Sequence, residues 1–141
     1  MGRILSIDYG RKRVGIAVSD PLRIIATGLT TVHSKDIFDF LKDYMKKEDV
    51  DLIVIGYPKD LKNKDAESMK YVKPFINKVH INFPETEVDI YDERFTSKLA
   101  KAAMIEGGLK KKDRQNKALV DKLSAVIILQ SYMEFIKIKE K

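Results

Sequence analysis

Residues 3–19 read RILSIDYGRKRVGIAVS, and this stretch decides the fold. Its first part, residues 4–7, is mostly apolar, and residues 14–19 alternate Val and Ile with Gly, Ala and Ser. The two runs are separated by a short turn that begins with Gly10 and is rich in Arg and Lys. Strand patterns joined by a glycine-containing turn predict an antiparallel hairpin.

The remainder of the chain alternates strand and helix patterns. Residues 52–55 form an uninterrupted β-rich run, which is typical of a strand buried on both faces. Pro74 falls inside a helical pattern, so we expect that helix to be kinked or divided. The other predicted elements are a third strand over 24–32, a helix starting at Ser34 or Asp36, a helix over 65–79, a fifth strand around Val88 and Ile90, a helix over 96–108, and a final helix over about 117–136.

This element order predicts a single α/β domain over residues 1–141. The hairpin makes the first half antiparallel, and strands reached through helices should lie parallel to the first strand through right-handed crossovers. We therefore expect a five-stranded mixed sheet flanked by helices. No stretch approaches 18 consecutive apolar residues, and the first residues lack a signal-peptide pattern, so no membrane association and a cytoplasmic location are expected.

Residue composition excludes several classes of protein. Hydrophobic residues make up 44% of the chain, which is enough to form a core and argues against disorder. The chain has no cysteine, which excludes a disulfide scaffold, a thiolate metal site and a cysteine nucleophile. Only two histidines are present, so a zinc site built on several imidazoles is excluded as well.

Positive charge is concentrated in two separated segments. The chain carries 27 Lys and Arg against 21 Asp and Glu, a formal net charge of +6. Residues 1–13 hold four basic residues and one acid, and residues 101–122 hold seven basic residues and three acids. Such clustering is typical of a surface that binds nucleic-acid phosphates, although a solvated lysine face would look the same. The residues expected to contact phosphates are Arg11, Lys12, Arg94, Lys110, Lys111, Lys112 and Arg114.

Carboxylates stand at the ends of three separate elements. Asp8 ends the first strand, where burial of a carboxylate is costly unless it is paired, hydrogen-bonded or bound to a cation. Asp121 begins the face of the final helix that continues through Ala125, so we expect it to face protein. Asp92-Glu93-Arg94 closes the fifth strand, at the end where open α/β sheets place ligands. Since neighbouring side chains on a strand point to opposite faces, at most one of its two acids faces a given site.

Each of these acids also has an ordinary structural interpretation. Asp8 fits a turn, Asp121 fits the positive end of a helix dipole, and Asp92-Glu93-Arg94 fits a surface ion pair. Taken together they predict a hard-cation site, because Mg²⁺ and Mn²⁺ prefer oxygen ligands. Two such ions can activate a water and stabilise the leaving oxygen of a phosphodiester. Acids that hold metal beside basic residues that hold phosphates predict a metal-dependent nuclease.

Five motifs follow one another along the chain. They are Ile7-Asp8-Tyr9-Gly10, residues 14–20 (VGIAVSD), Gly56-Tyr57-Pro58, residues 92–96 (DERFT) and residues 120–125 (VDKLSA). In this order and spacing they resemble the YqgF (RuvX) family, small bacterial members of the RNase H-like, RuvC-related superfamily. The resemblance extends from Arg3 to about Tyr132. It implies an RNase H-like fold with helices on both sides of the sheet.

The resemblance also implies an activity and a set of site residues. It implies a Mg²⁺- or Mn²⁺-dependent nuclease that matures the 5′ end of the 16S rRNA precursor, or a Holliday junction resolvase on branched DNA. The implied catalytic and metal-binding acids are Asp8, Glu93 and Asp121, with Asp92 as the less certain neighbour. Residues 59–65 read KDLKNKD and lack the glycine usual in this loop of the family, so the role of the loop is left open. Asp60 in this loop is the reserve ligand.

Two other classes of function stay open on the sequence alone. One is a nucleotide-handling protein of the actin and sugar-kinase superfamily, although 141 residues leave no room for a second lobe. The other is a nucleic-acid-binding ribosome assembly factor without catalysis. The sequence does not choose between a monomer and a homodimer, and a resolvase would need two active sites.

Overall fold

The computed structural model describes residues 2–57, 69–92 and 117–140. The strands in these ranges are β1 (Arg3–Tyr9), β2 (Arg13–Ser19), β3 (Ala26–His33), β4 (Val50–Tyr57) and β5 (Glu87–Asp92). They form one sheet in the order β3-β2-β1-β4-β5. β2 is antiparallel to both β1 and β3, whereas β4 is parallel to both β1 and β5. The predicted five-stranded mixed sheet is confirmed.

Helices cover both faces of this sheet. Within the described ranges they are α1 (Ile37–Lys47), which follows a 3₁₀ turn at Ser34–Asp36, α2 (Met69–Asn82) and α3 (Lys117–Glu140). One hydrophobic cluster joins the sheet to α1 and α2, and a second joins the opposite face to α3. Where the chain is described, no helix has both the length and the apolar character to cross a membrane.

Helix α3 packs through one continuous stripe. Ala125, Ile128 and Tyr132, which share the predicted face that begins at Asp121, are buried, and Leu129 and Met133 are buried beside them. They contact the side of the sheet that presents Ile4, Ala17, Leu52 and Val54, which we call the α3 face. The stripe therefore fixes which side of α3 meets the sheet, and Asp121 continues it by one helical turn toward the N-terminus.

A glycine lets α3 approach β2 closely. A Cβ atom placed on Gly15 would overlap the backbone carbonyl oxygen of Asp121. At Gly28 on β3, by contrast, a Cβ would meet the Lys122 side chain at 2.9 Å and a Val126 methyl at 3.2 Å. The contact at Gly15 is with backbone, which cannot rotate away, so the helix lies at this distance only because residue 15 has no side chain.

Strand β3 begins later than predicted, at Ala26 and not at Ile24. The carboxylate of Asp20 accepts hydrogen bonds from the backbone N–H groups of Ile24 and Ile25, each at 2.7 Å. These amides are thus bound to a loop side chain, and Arg23 adopts a left-handed φ of 58° within the loop. An Asp that captures nearby N–H groups offers the backbone an alternative to the strand ladder.

The second helix also differs from its prediction. α2 runs from Met69 to Asn82, three residues beyond the predicted end at Val79, and it contains Pro74 without being divided. Pro74 is the sixth residue of α2, so it removes the hydrogen bond that an N–H there would donate to the carbonyl four residues earlier, yet the helix continues through it. The predicted start of this helix at 65–68 and the helix over 96–108 lie outside the described residues.

The Gly15 contact predicts that Gly15→Ala will lower the free energy of unfolding by about 3 kcal/mol, because α3 must move off the sheet to admit the methyl group. Urea unfolding followed by circular dichroism would measure the loss. Gly28→Ala is the matched control, and we expect a much smaller change because the Lys122 side chain can turn aside. Equal unfolding midpoints for wild type and Gly15→Ala would contradict the proposed constraint.

The Asp20 loop predicts a stability that depends on pH. The hydrogen bonds from the backbone of Ile25 and Ile24 lower the pKa of Asp20 below its ordinary value of 3.8. The stabilisation is therefore fully present above that value and is lost as the pH falls through the lower folded pKa. We expect Asp20→Ala to lower Tm by a few degrees at pH 7 and the difference to shrink below pH 4.

Thermal melts at a series of pH values would measure this difference. Asp36→Ala is a suitable control, because Asp36 precedes α1 without making a side-chain cap hydrogen bond. A Tm difference for Asp20→Ala that stayed constant from pH 7 to pH 3 would show that the carboxylate does not act through its charge.

Candidate metal and nucleic-acid site

Asp8 lies on the α3 face at the carboxyl end of β1. The evidence is Ser6, two residues earlier, whose hydroxyl donates a 2.7 Å hydrogen bond to the buried carbonyl of Ala125 on α3. Side chains two positions apart on a strand share a face, so Asp8 is directed to the same side. Asp8 is half-buried. The sequence prediction that it ends the first strand holds within one residue, since β1 extends to Tyr9.

Asp121 comes to the same place from the other side. Gly15 is the Cα partner of Asp8 in the antiparallel pair of β1 and β2, and Gly15 lies against the backbone of Asp121. Paired residues on neighbouring strands lie about 5 Å apart. Asp8 and the backbone of Asp121 are therefore separated by about one strand spacing on one face of the sheet. The structure brings together two of the acids that the sequence singled out.

Arg13 is a site residue that the sequence analysis did not select. Its Nε donates a hydrogen bond to Oδ2 of Asp121 at 2.8 Å, and the two side chains form an ion pair. The side chains are 41% and 23% exposed, so solvent reaches both members of the pair. The period of two along β2 could have indicated this residue, because Arg13 shares a face with Gly15.

The turn between β1 and β2 presents its basic residues at the same edge. The N–H of Gly10 donates to the carbonyl of Arg13 at 2.9 Å, and a Cβ at Gly10 would lie 2.6 Å from that oxygen. Ser34 then holds the turn from the β3 side, donating from its hydroxyl to the carbonyl of Arg11 and from its N–H to that of Lys12. Arg11 and Lys12 are exposed on this fixed turn, next to the end of β1 that carries Asp8.

A tyrosine pair holds β5 against α3. Tyr132 donates a 2.8 Å hydrogen bond to the carboxylate of Asp89, and the hydroxyls of Tyr91 and Ser131 lie 2.7 Å apart. Burial, followed by the bond to Asp89, raises the pKa of Tyr132 above its ordinary value, so it remains a donor. β5 ends at Asp92, whose backbone pairs with Tyr57 at the end of β4. The two parallel strands therefore end at the same edge as β1.

Several predicted site residues lie outside the described part of the chain. The structure describes the backbone of Asp92 but not its side chain. Glu93 is the next residue and lies outside the described part of the chain. The other predicted residues in the undescribed ranges are Asp60, Arg94, Lys110, Lys111, Lys112 and Arg114. Their roles stay predictions.

The two carboxylates suit a hard divalent cation in their chemistry. Mg²⁺ binds through one or two protein carboxylates and keeps waters and substrate phosphates as its other ligands. Asp8 and Asp121 supply oxygen donors on one face, where the missing side chain of Gly15 lets the backbone of Asp121 lie close to β2. Across residues 2–57, 69–92 and 117–140, no three Asp, Glu, His or Cys side chains are grouped closely enough to hold an ion by themselves. Asp8 and Asp121 thus fit as part of a ligand set.

Known proteins with similar sequences share one name. A protein of Phocaeicola vulgatus named "Putative pre-16S rRNA nuclease" is 56% identical over 134 residues, which cover 95% of this chain and 96% of that protein. A protein of the same name from Amoebophilus asiaticus is 53% identical over 137 residues, or 97% of each chain. These relatives match almost their full lengths.

Solved structures show the same fold at low sequence identity. RuvC of T. thermophilus in complex with a Holliday junction substrate matches with a TM-score of 0.58 and 13% identity, covering 95% of this chain and 97% of that one. A second structure of Thermus thermophilus RuvC matches with a TM-score of 0.56 and 13% identity, covering 97% and 96%. The predicted RNase H-like fold is confirmed by this likeness, which concerns the fold alone.

A family model described as "RuvX: Holliday junction resolvase" matches residues 2–135. This match spans nearly the whole chain, and the resemblance read from the five motifs is confirmed. With relatives more than half identical over nearly their full lengths, the chain belongs to the RuvX (YqgF) family.

Proposed function

We propose that this protein is a divalent-metal-dependent nuclease that hydrolyses phosphodiester bonds, and that it matures the 5′ end of the 16S rRNA precursor in the cytoplasm. The observation that carries the proposal is the placement of Asp8 and Asp121 on one face of the sheet beside a fixed basic turn. The names of the similar proteins support the RNA substrate.

In this mechanism the protein's own residues bind and orient the substrate. Arg11 and Lys12 attract the phosphate backbone to the edge of the sheet where β1 ends. Asp8 and Asp121, with Glu93 as the proposed third acid, hold Mg²⁺ or Mn²⁺, which when bound supplies an activated water and charge stabilisation for the leaving oxygen. Arg94, Lys110, Lys111, Lys112 and Arg114 are proposed as further phosphate contacts.

A second candidate is resolution of Holliday junctions. The family description and the likeness to RuvC favour it, and the same carboxylates would serve a DNA phosphodiester. Because paired cuts need two active sites, this candidate requires a homodimer, whereas an RNA trimmer can act as a monomer. An RNA precursor end and a four-way DNA junction offered in parallel would separate the two substrates.

Removing either described carboxylate tests the metal role. We expect Asp8→Asn and Asp121→Asn each to reduce Mg²⁺-dependent cleavage by at least about 100-fold, because loss of a direct ligand exceeds the loss caused by an outer-shell change. Nucleic-acid affinity should stay equal to or above that of wild type, since a negative charge is removed. Gel assays of cleavage and fluorescence anisotropy of binding would measure the two effects.

Asp39→Asn makes the same chemical change at an exposed site on α1, which covers the opposite face of the sheet, and it should cleave as wild type does. EDTA should abolish cleavage in every variant. Wild-type cleavage by Asp8→Asn would exclude the metal role of Asp8. Binding without cleavage of either substrate by the wild type would indicate an assembly factor in place of a nuclease.

Salt dependence tests the basic turn. Affinity for RNA should fall linearly with the logarithm of salt concentration, and the double variant Arg11→Gln, Lys12→Gln should reduce the magnitude of that slope by about 2. The matched control is the double variant Lys46→Gln, Lys47→Gln, which removes the same charge at the end of α1. This end of the helix leads into the start of β4, which is parallel to β1, so it lies at the opposite edge of the sheet from the basic turn. If both double variants reduced the slope equally, the effect would come from the overall charge of the protein, and the basic turn would not be a specific contact surface.

A further inference from the structure

We propose that Arg13 is an exchangeable counter-ion of Asp121. In the metal-free protein the Arg13 guanidinium binds the Asp121 carboxylate. When a divalent cation binds that carboxylate, Arg13 is released and binds a phosphate of the substrate. The cation and the nucleic acid therefore each strengthen binding of the other. This inference rests on the proposed function, because it requires Asp121 to bind a cation.

The geometry of the pair suits a temporary partner. The contact is made by Nε of Arg13 alone, at 2.8 Å from Oδ2 of Asp121. It is therefore not the two-pronged arrangement in which arginine binds a carboxylate most strongly. Within the described part of the chain, the terminal nitrogens of Arg13 and the second oxygen of Asp121 make no other hydrogen bond or ion pair. Both groups retain capacity for a new partner.

Because water reaches both side chains, separating Arg13 from Asp121 costs little free energy. Arg13 is 41% exposed and Asp121 is 23% exposed at the side chain. Ion pairs this accessible to water contribute little to stability, since the charges are screened and well hydrated when apart. A divalent cation carries twice the charge of the guanidinium and binds carboxylate oxygens directly, so it can displace Arg13 without unfolding any element.

The backbone around Arg13 is held while its side chain can move. The carbonyl of Arg13 accepts the N–H of Gly10, which closes the turn, and Ser34 fixes the turn from β3. A released guanidinium would therefore remain beside Arg11 and Lys12, on the surface proposed to meet the phosphate backbone. Arginine matches the oxygens of a phosphate well, so the displaced group gains a partner from the substrate.

The consequence is a reciprocal coupling between two ligands. A cation that releases Arg13 raises affinity for nucleic acid, and nucleic acid that engages Arg13 must raise affinity for the cation by the same factor. Before substrate binds, Arg13 competes with the cation. Removing its charge should then strengthen cation binding to the free protein and abolish the coupling.

The decisive variant is Arg13→Gln, which keeps a hydrogen-bond donor and removes the charge. Isothermal titration calorimetry would measure Mg²⁺ binding to the free protein. Fluorescence anisotropy would measure binding of a labelled RNA oligonucleotide with and without Mg²⁺ at constant ionic strength, with the RNA checked on a gel for integrity. We expect Mg²⁺ to tighten RNA binding to the wild type by about 5-fold or more. For Arg13→Gln we expect tighter Mg²⁺ binding and no tightening of RNA binding by Mg²⁺.

Two further variants separate this role from a general charge effect. Arg11→Gln removes the same charge two residues away in the same turn, and it should weaken RNA binding equally with and without Mg²⁺ while leaving Mg²⁺ affinity nearly unchanged. Arg13→Lys retains the charge and should retain part of the coupling. Coupling in Arg13→Gln equal to that of the wild type, or weaker Mg²⁺ binding by this variant, would overturn the inference.

Asp121→Asn distinguishes failure of the inference from failure of the proposed function. If Asp121→Asn loses Mg²⁺ binding and Arg13→Gln behaves as wild type, the metal role stands and only the exchange is wrong. If the wild type binds no Mg²⁺, or Asp121→Asn binds it equally well, the metal role of Asp121 fails and the exchange fails with it. Thermal melts of each variant would confirm that the fold is retained.

Discussion

The close approach of α3 to β2 at Gly15 is the constraint on which the site depends. Residue 15 can have no side chain, because the carbonyl of Asp121 occupies the space where a Cβ would stand. Asp8 is the Cα partner of Gly15, so the same contact that seats the helix also sets the spacing of the two acids. The hydrogen bond from the Ser6 hydroxyl to the Ala125 carbonyl attaches the helix to β1 at a second point, two residues before Asp8. The same contact therefore determines both how closely the helix packs and where the two carboxylates lie.

Among the described residues, one hairpin turn and its flanking positions carry most of the charge at this edge. Asp8 precedes the turn, Arg11 and Lys12 lie in it, and Arg13 follows it at the start of β2. Ser34 and Gly10 fix the backbone of the turn, while its long side chains remain exposed or half-exposed. Opposite charges can stay close here without collapsing into permanent pairs, because water still reaches them.

Patterns of apolar residues predicted the elements well where tertiary contacts agree with local preference. The apolar run of residues 4–7, the period of two in residues 14–19 and the apolar face of α3 were enough to establish the first two strands, the final helix and the side of it that faces the sheet. The start of β3 was placed wrongly, since Asp20 captures the amides of Ile24 and Ile25 and no pattern of apolar residues records a hydrogen bond. Pro74 was expected to kink or divide α2, yet the helix is not divided, because its buried residues pack against the sheet on both sides of the proline and outweigh one lost backbone hydrogen bond.

The sequence by itself determined the strands and helices of the mixed sheet and the presence of carboxylates at Asp8 and Asp121, because periodicity and residue type are local properties of a chain. Only the tertiary structure decided that these two acids share a face, and that Arg13 is the partner of Asp121 across 108 positions of sequence. Both facts depend on how α3 crosses β2. That crossing is set by the absence of a single Cβ, which acquires meaning only when another part of the chain packs against it.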